Sequence, residues 1–379
     1  MAKKEVKLTV CKNNPNFFVN ADFISSKLAY DLEKVKKYPG HQRYGLMKVE
    51  EDNFKEIAFI NFADPHFFGD GFSEERCSLA LNWIRDVANA RVVFGGDVFD
   101  IASLSGKTNP HQSVLNNSSS IDLAMSNHYI GKIANKTICG VGGNHDAAYA
   151  NRLRDTGISP LKYALEKFDI QYFEFNALIQ IKVGEHYYNI LVSHAGKGSN
   201  PLDGGSKLAI DFINKTGIRV DALFLGHNHL SAHGVFPYQY KHYNEKGKLE
   251  GIIDHQIQVF VDPSFQGENE HFLSKNIYRS NTNAMATILY EKENPYYVKG
   301  DKKNLPFILG VKRFPLLNEH SNDYTIPAKL YREKMFDRQN EIDMQIDNFL
   351  KNKKTKDKIN DITKAINSLV KKGGKTNGR

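Results

Sequence analysis

The segment IAFINFADPH, residues 57–66, is an apolar run that ends in polar and turn-forming residues. Four later segments have the same make-up: RVVFGGDVFD (91–100), KTICGVGGNHD (136–146), YYNILVSHAG (187–196) and DALFLGHNH (221–229). Short runs of Val, Ile, Leu and Phe that stop at Gly, Asp, Asn or His are typical of strands buried on both faces. The five segments therefore predict a sheet whose strands are largely parallel.

Helical patterns separate several of these strands. Residues Glu74–Ala90 repeat apolar side chains at intervals of three and four, and Ser73 before them is a candidate N-cap. Residues Ser159–Phe168 and Gly205–Thr216 carry shorter patterns of the same kind. Strands that alternate with helices predict an α/β architecture. A β-hairpin is expected over Tyr238–Gln258, with its turn at residues 244–247.

Composition excludes several classes of protein. The 379 residues are 41% apolar and 25% charged, which is ordinary for a soluble globular chain and unlike a disordered or fibrous one. No apolar stretch approaches the roughly 18 to 20 residues of a membrane span, and MAKKEVKLTV lacks the apolar core of a secretory signal. We therefore expect a cytoplasmic protein that does not associate with membranes. Its three cysteines form neither a disulfide framework nor a zinc knuckle.

The net charge of +8 belongs to the end of the chain. Residues 351–379 hold nine Lys and one Arg against Asp357 and Asp361, so the preceding 350 residues are neutral overall. The basic tail has two interpretations that the sequence leaves open. Its lysines either neutralise nucleic-acid phosphates or form the solvated face of a helix whose Ile/Leu stripe docks on the core, on a second copy or on a partner protein.

Each of the five predicted strands ends in side chains that bind divalent metal ions. These candidate ligands are Asp64, His66, Asp97, Asn144, His194, His227 and His229. Two pairs, Asp64 with His66 and His227 with His229, are spaced by two, which places both members on one side of an extended segment. The carboxyl ends of strands in open α/β sheets are where ligands bind.

Seven such ligands are too many for one tetrahedral zinc ion and suit two divalent ions with a bridging carboxylate. A lone buried His or Asp is usually structural, but five strand ends with ligands in one chain favour the dimetal interpretation. Two ions about 3.5 to 4 Å apart form the clamp used for in-line displacement at phosphorus. The chemistry indicated is phosphoester hydrolysis.

The motifs DPH, GDVFD, GNHD, SHAG and GHNH, in that order, resemble the signature of the calcineurin-like metallophosphoesterase superfamily. The resemblance covers Ile57–His229. It implies an α/β fold of two mixed β-sheets packed face to face and flanked by helices, here with a C-terminal helical extension. The corresponding domains are an N-terminal extension at 1–50, a catalytic domain at 51–327 with a closing segment from 230, a basic amphipathic helical tail at 328–372 and a disordered end at 373–379.

The resemblance also assigns roles within the site. It places Asp64, His66 and His229 on one ion and Asn144, His194 and His227 on the other, with Asp97 bridging both. A hydroxide shared by the two ions would be the nucleophile. His145 would stabilise the transition state or protonate the leaving oxygen, and Asp100 would orient its imidazole. Manganese is the expected ion, with Zn²⁺, Fe²⁺, Mg²⁺ and Ni²⁺ as alternatives.

Departures from subfamily patterns narrow the substrate. Ser/Thr phosphoprotein phosphatases follow GDxxD with Arg-Gly, whereas Ile101 and Ala102 follow Asp100 here. The chain is more similar to repair exonucleases and related phosphodiesterases, which implies a nucleic-acid or nucleotide substrate and a partner or second copy held by the C-terminal helices. The alternatives are a phosphomonoesterase and a non-catalytic scaffold of the same fold.

Three sets of residues near the motifs have open roles. Asp262, Pro263 and Ser264 resemble the family's closing loop beside the metals, where they would touch substrate. The polar loop 106–120 follows Asp100. It either determines substrate specificity or is a surface insertion without a role in the site. Phe68 and Asp70, after the DPH motif, are candidates for shaping the pocket entrance.

Overall fold

All five apolar segments form strands in the structure of the protein, a computed structural model. It describes residues 17–18, 45–49, 54–69, 71–99, 124, 128–146, 159–195, 200–243, 248–267, 282–300 and 304–351. The strands are β1 (Phe17–Phe18), β2 (Gly45–Val49), β3 (Glu56–Phe62), β4 (Ala90–Phe94), β5 (Thr137–Val141), β6 (Gln171–Phe173), β7 (Asn176–Val183), β8 (His186–Ser193), β9 (Ala222–Leu225), β10 (Ala232–Tyr243), β11 (Leu249–Val261), β12 (Met285–Glu293) and β13 (Phe307–Pro315).

The strands form two mixed sheets, which confirms the predicted fold class. One sheet has the order β1-β2-β7-β8-β9-β11-β10 and the other the order β13-β12-β3-β4-β5-β6. The neighbours β3, β4, β5 and β6 are parallel, as are β8, β9 and β11. The largely parallel sheet expected from the apolar pattern is divided between the two sheets, because β3, β4 and β5 lie in one and β8 and β9 in the other.

The two sheets share an apolar core. Phe59 of β3 contacts Phe224 of β9 with ring centroids 4.7 Å apart, and Phe224 stacks on Phe260 of β11 at 4.6 Å. All three side chains are fully buried. A second cluster, which includes Leu223 and Val259, packs on the other face of the β8–β9–β11 sheet. The sheets therefore pack face to face, and the ends of β3, β4, β5, β8 and β9 lie close together.

Helices lie between several of the strands and after the last one along the chain. They are α1 (Glu74–Asp86), α2 (Ile130–Ile133), α3 (Pro160–Glu166), α4 (Pro201–Thr216) and α5 (Ile326–Lys351), with a 3₁₀ turn at Ala134–Lys136 after α2. The first helix ends four residues before the predicted Ala90, because Val87 is already extended and Asn89 donates to the carbonyl of Glu56, the first residue of β3. Ser73 stands at the N-cap of α1, but its side chain makes no capping hydrogen bond.

Helix α4 begins earlier than predicted. Asn200 Oδ1 accepts hydrogen bonds from the backbone N–H groups of Leu202 and Asp203, and Pro201 occupies the first turn. Capping by Asn followed by Pro favours a start at this position over Gly205. The helix ends at Gly217, whose φ of 72° is the left-handed conformation of a C-terminal stop.

The chain divides into two compact units, Met1–Lys329 and Leu330–Arg379. Within the second unit, α5 continues to Lys351 and carries the side-chain contacts Gln339 to Asp343 and Lys351 to Asp347 at helical spacing. Within the described ranges, no helix has the length and apolarity needed to cross a membrane. The hairpin turn at 244–247, the loop 106–120, most of residues 1–50 and the tail beyond residue 351 lie outside the described residues.

Candidate metal centre

Five of the seven predicted ligands have a left-handed backbone. The φ angles are 50° at Asp64, 48° at His66, 49° at Asp97, 69° at His227 and 53° at His229. Asp, Asn and His tolerate this region better than other residues with a Cβ, but sparsely populated backbone still costs on the order of 1–3 kcal/mol per residue. The extended backbone expected for the spaced pairs is therefore wrong, because the chain turns sharply once β3 and β9 end.

Asp64, His66 and His229 form the first ligand group. One side-chain N or O atom from each residue lies within 4.8 Å of the others, and all three residues are buried. His229 Nε2 lies 3.3 Å from Asp64 Oδ1 and His66 Nε2 lies 3.8 Å from it. Among the described residues, no donor meets that buried oxygen in hydrogen-bonding geometry. A carboxylate oxygen buried toward imidazoles in this way fits a divalent cation.

Asp97, His194 and His227 form the second ligand group, again with ligand atoms within 4.8 Å. His194 Nε2 lies 3.0 Å from Asp97 Oδ2 and 3.0 Å from Asn144 Oδ1. The other ring nitrogen, Nδ1, donates to the Gly95 carbonyl at 2.9 Å. A backbone acceptor at Nδ1 fixes the ring orientation and leaves Nε2 as the metal-binding atom, an arrangement that is usual for metal-bound histidine.

The two ligand groups are adjacent. His194 Nε2 of the second group lies 3.9 Å from Asp64 Oδ1 of the first. The backbone N–H of His227 donates to Asp64 Oδ2 at 2.6 Å, so that carboxylate contacts both groups. Together the groups offer nitrogen and oxygen donors for two divalent ions, which is the donor set expected from the sequence.

The electrostatics of the cluster indicate a cation site. Burial acts to raise the pKa of Asp64 and of Asp97, but the neighbouring imidazoles, His194 above all, outweigh it and the pKa of each is lowered. Burial acts to lower the pKa of His194, yet the two carboxylates raise it to about 10. The metal-free cluster thus holds its carboxylates ionised and offsets part of their negative charge with a proton on His194. A bound dication would replace that proton.

His145 lies at the solvent-facing side of the cluster. Its backbone N–H donates to Asp97 Oδ1 at 2.8 Å, and its Nε2 lies 3.9 Å from Asp97 Oδ2. The ring stands edge-on to that of His66 with centroids 5.0 Å apart, and its side chain is 32% exposed. It can therefore meet a substrate that approaches the two groups. Asp100, its predicted orienting residue, lies outside the described residues.

Asp146 is a residue of this cluster that the sequence analysis missed. Its Oδ2 accepts hydrogen bonds from the backbone N–H groups of Asp97, at 3.1 Å, and Gly143, at 2.9 Å. Burial, together with the charge of Asp97, raises the pKa of Asp146 to about 7. It fixes the two loops that carry Asp97 and Asn144 against each other. The sequence signal that could have identified Asp146 is its position as the last residue of the GNHD motif.

Glycine permits the close approach of these loops. A Cβ at Gly143 would lie 2.0 Å from Asp97 Oδ1, well inside contact distance. A Cβ at Gly226 would lie 2.5 Å from Asp64 Oδ2. Both positions thus exclude side chains next to a predicted ligand.

The other sequence candidates lie in the surrounding core. Asp262 and Ser264 are buried, and Asp262 is bonded to Asn61 and Arg313, so its side chain is not available to substrate. Phe68 is buried against Phe72 and Tyr129. Asp70 and the loop 106–120 lie outside the described residues.

Comparison with known proteins adds little. No protein-family model and no curated protein matches the chain. Among solved structures, a conserved uncharacterized protein from Streptococcus pneumoniae, described as a predicted phosphoesterase, matches 69% of this chain and 98% of its own length. The identity is 11% and the TM-score 0.25. A match this weak carries no argument about activity, which must be inferred from the side chains.

Proposed function

We propose that the protein is a dimetal-dependent phosphoester hydrolase, and specifically a phosphodiesterase or nuclease that acts on nucleic acid or nucleotides. The observation that carries the proposal is the pair of adjacent ligand groups, each with its ligand atoms within 4.8 Å of one another. His145 beside them supplies a titratable side chain at the solvent-facing side. Without His145, the two ligand groups would support a proposal of metal binding but not of catalysis.

Bound divalent ions at such a pair, with Mn²⁺ as the proposed species, supply Lewis-acid activation of water and of a phosphoryl oxygen. Asp64, His66 and His229 would hold one ion, and Asp97, His194, His227 and the Asn144 amide oxygen the other. Asp97 has one oxygen bonded to the His145 N–H and the other directed at His194, so its carboxylate is fixed between catalytic and binding residues.

The proposed role of His145 is to donate a proton to the leaving oxygen. Its side chain is partly exposed and its Nε2 lies 3.9 Å from Asp97 Oδ2, where it can reach a substrate that approaches the two groups. A positioned general acid contributes about 10²–10⁴-fold to a rate. Asp100 is proposed to orient the imidazole.

Two sequence features support a nucleic-acid substrate. The GDVFD and GNHD motifs resemble those of repair exonucleases, and the lysines at 353, 354, 356 and 358 supply positive charge that can neutralise phosphates. We propose that this tail contacts nucleic acid, and that the C-terminal helices are also the site at which a partner protein or a second copy binds.

The test is hydrolysis by the full-length protein of end-labelled single- and double-stranded DNA, a bis-aryl phosphodiester and an aryl phosphomonoester. Each assay is run with Mn²⁺ and with excess chelator. Mn²⁺-dependent cleavage of DNA and diester supports the proposal, and turnover of the monoester alone would identify a phosphatase instead. Lys→Gln at 353, 354, 356 and 358 should weaken DNA cleavage and its salt dependence while leaving aryl diester turnover unchanged.

His145→Ala and His128→Ala form a matched pair of variants for this assay. His128 is an exposed histidine that belongs to neither ligand group. Loss of activity in the His145 variant alone would show that the proposed site performs the hydrolysis. Equal activity in both variants and the wild type would contradict that assignment.

A further inference from the structure

A buried ion pair lies behind the first ligand group. Arg313 Nη2 of β13 donates to Asp262 Oδ1 at 2.6 Å, and the two side chains are 8% and 1% exposed. The other carboxylate oxygen, Asp262 Oδ2, accepts a hydrogen bond from Asn61 Nδ2 at 3.0 Å. Both oxygens of Asp262 are thus taken by protein donors, and the carboxylate is neither a metal ligand nor a substrate contact.

The ion pair is connected to both segments that supply the first ligand group. Asn61, which binds Asp262, lies on β3 three residues before Asp64. Arg313 Nη1 donates to the carbonyl of Ala232, three residues after His229, at 2.7 Å. Arg313 Nη2 also donates to the Val261 carbonyl at 2.7 Å, at the end of β11.

The second ligand group has no comparable connection to the pair among the described contacts. Asp97 and the segment of Asn144 are held instead by Asp146, and His194 by the Gly95 carbonyl. The backbone N–H of Asp262 does bond to Leu225, two residues before His227, but substitution of side chains leaves that bond in place. The side chains of the ion pair therefore act on one group of ligands.

The stability of the fold does not explain why this ion pair is buried. Removing two charges from water is costly, and replacing a buried ion pair by uncharged side chains of similar volume is often neutral or stabilising. Its hydrogen bonds do, however, fix direction. The planar guanidinium places its N–H groups at set angles, so the start of β10, at Ala232, and the end of β11, at Val261 and Asp262, are held in one register.

We propose that Arg313 and Asp262 are positioning residues that hold the Asp64 and His229 segments at the separation needed to bind the first metal ion. The inference rests on the proposed function only in that it takes the two ligand groups to be metal sites. Outer partners of metal ligands commonly contribute 10–100-fold to metal affinity. Loss of the pair is therefore expected to weaken the first ion at least about 10-fold and to leave the second unchanged.

The test measures Mn²⁺ affinity and stoichiometry by titration calorimetry on the metal-free full-length protein. Arg313→Met with Asp262→Asn removes both charges at once, so that no lone charge stays buried. The matched control is Arg219→Met with Asp221→Asn, a second ion pair, with Nε 3.0 Å from Oδ1, located just before β9. The first double variant should bind one ion normally and one weakly, and the control should bind two ions as the wild type does.

Histidine backgrounds identify the affected group. In His227→Ala, where the second group is incomplete, the Arg313/Asp262 double substitution should weaken the remaining ion. In His229→Ala, where the first group is incomplete, it should have no effect. Equal weakening in both backgrounds, or in the Arg219/Asp221 control, would show a general structural role and overturn the inference, as would wild-type binding by the double variant.

The outcomes separate this inference from the proposed function. A wild-type protein that binds two Mn²⁺ ions and hydrolyses no phosphoester would refute the function but leave the positioning role testable by binding. A wild-type protein that hydrolyses phosphoesters while the double variant binds both ions normally would refute the positioning role alone. A wild-type protein that binds no divalent ion would refute both.

Discussion

His227 and His229 are two residues apart and share a left-handed backbone, yet they belong to different ligand groups. His229 lies with Asp64 and His66, whereas His227 lies with Asp97 and His194. Both residues have positive φ angles, 69° and 53°, in the turn that follows β9. One short segment therefore serves both candidate metal sites.

Each histidine should account for one ion. We expect wild-type protein to bind two Mn²⁺ ions. His227→Ala and His229→Ala should each retain one strongly bound ion, because each substitution removes a ligand from one group and leaves the other group complete. Elemental analysis after gel filtration measures the ratio of metal to protein. His233→Ala is the control, since His233 bonds to Gln258 and lies outside both groups. Loss of both ions from either variant would contradict two separable groups.

The sequence points to the candidate ligands because each lies within a few residues of the end of a strand. An apolar run locates Asp64 or His194 to within a few residues, and metal-binding side chains at five strand ends are an uncommon pattern. The sequence does not show how those strands are arranged into sheets. Periodicity cannot show that β5 and β8 lie in different sheets, and the two-sheet fold was expected only from the resemblance.

The backbone of the site was not predictable from residue spacing. Spacing by two suggested one face of an extended strand for Asp64 and His66, but both residues are left-handed. Asp146 was missed because its role is to bind the backbone N–H of Asp97, 49 residues away. A long-range hydrogen bond of this kind leaves no pattern in local sequence.

Substitution of His145 should separate chemistry from metal binding. We expect His145→Ala to lower kcat by about 10²–10⁴-fold, the usual contribution of a general acid, while both ions remain bound. The side chain is partly exposed and is not a member of either ligand group, so the fold should tolerate its loss. Steady-state kinetics on a bis-aryl phosphodiester, with metal content measured on the same sample, tests this.

A substrate with a better leaving group gives the control for that experiment. If His145 protonates the leaving oxygen, a nitrophenolate leaving group should reduce the effect of the substitution, because it needs less protonation. An effect of equal size on all leaving groups would contradict the general-acid role and favour electrostatic stabilisation alone.

Gly143 should not tolerate a methyl group. A Cβ there would lie 2.0 Å from Asp97 Oδ1, so Gly143→Ala must displace that carboxylate or the loop that holds it. We expect weaker binding of the ion in the second ligand group and reduced turnover. Gly267→Ala is the matched control, because its Cβ would make only ordinary contacts at 3.4 Å. Calorimetric Mn²⁺ titration of the two variants decides, and equal affinities would contradict the steric argument.

His255 should make stability depend on pH away from the metal centre. The side chain is buried, its Nε2 donates to the Val220 carbonyl at 2.9 Å, and it lies 3.5 Å from Asp221 Oδ1. Burial lowers its pKa, and Arg219 adds to the effect while Asp221 opposes it. The folded protein therefore takes up this proton at lower pH than the unfolded chain, in which the pKa is about 6.5.

The sign of the effect follows from that difference. Below about pH 6.5 the unfolded chain binds a proton that folded His255 does not, so the free energy of unfolding falls as the pH drops toward the folded pKa. His255→Gln keeps a donor for Val220 and removes the titration, so its unfolding free energy should fall less between pH 7 and pH 5. Urea unfolding of metal-free protein measures both slopes, and His128→Gln, at an exposed position, should match the wild type. Each unit by which the folded pKa is lowered corresponds to about 1.4 kcal/mol of unfolding free energy. Equal slopes in the His255 variant and the wild type would contradict the prediction, because they would mean that His255 has the same pKa in the folded and unfolded states.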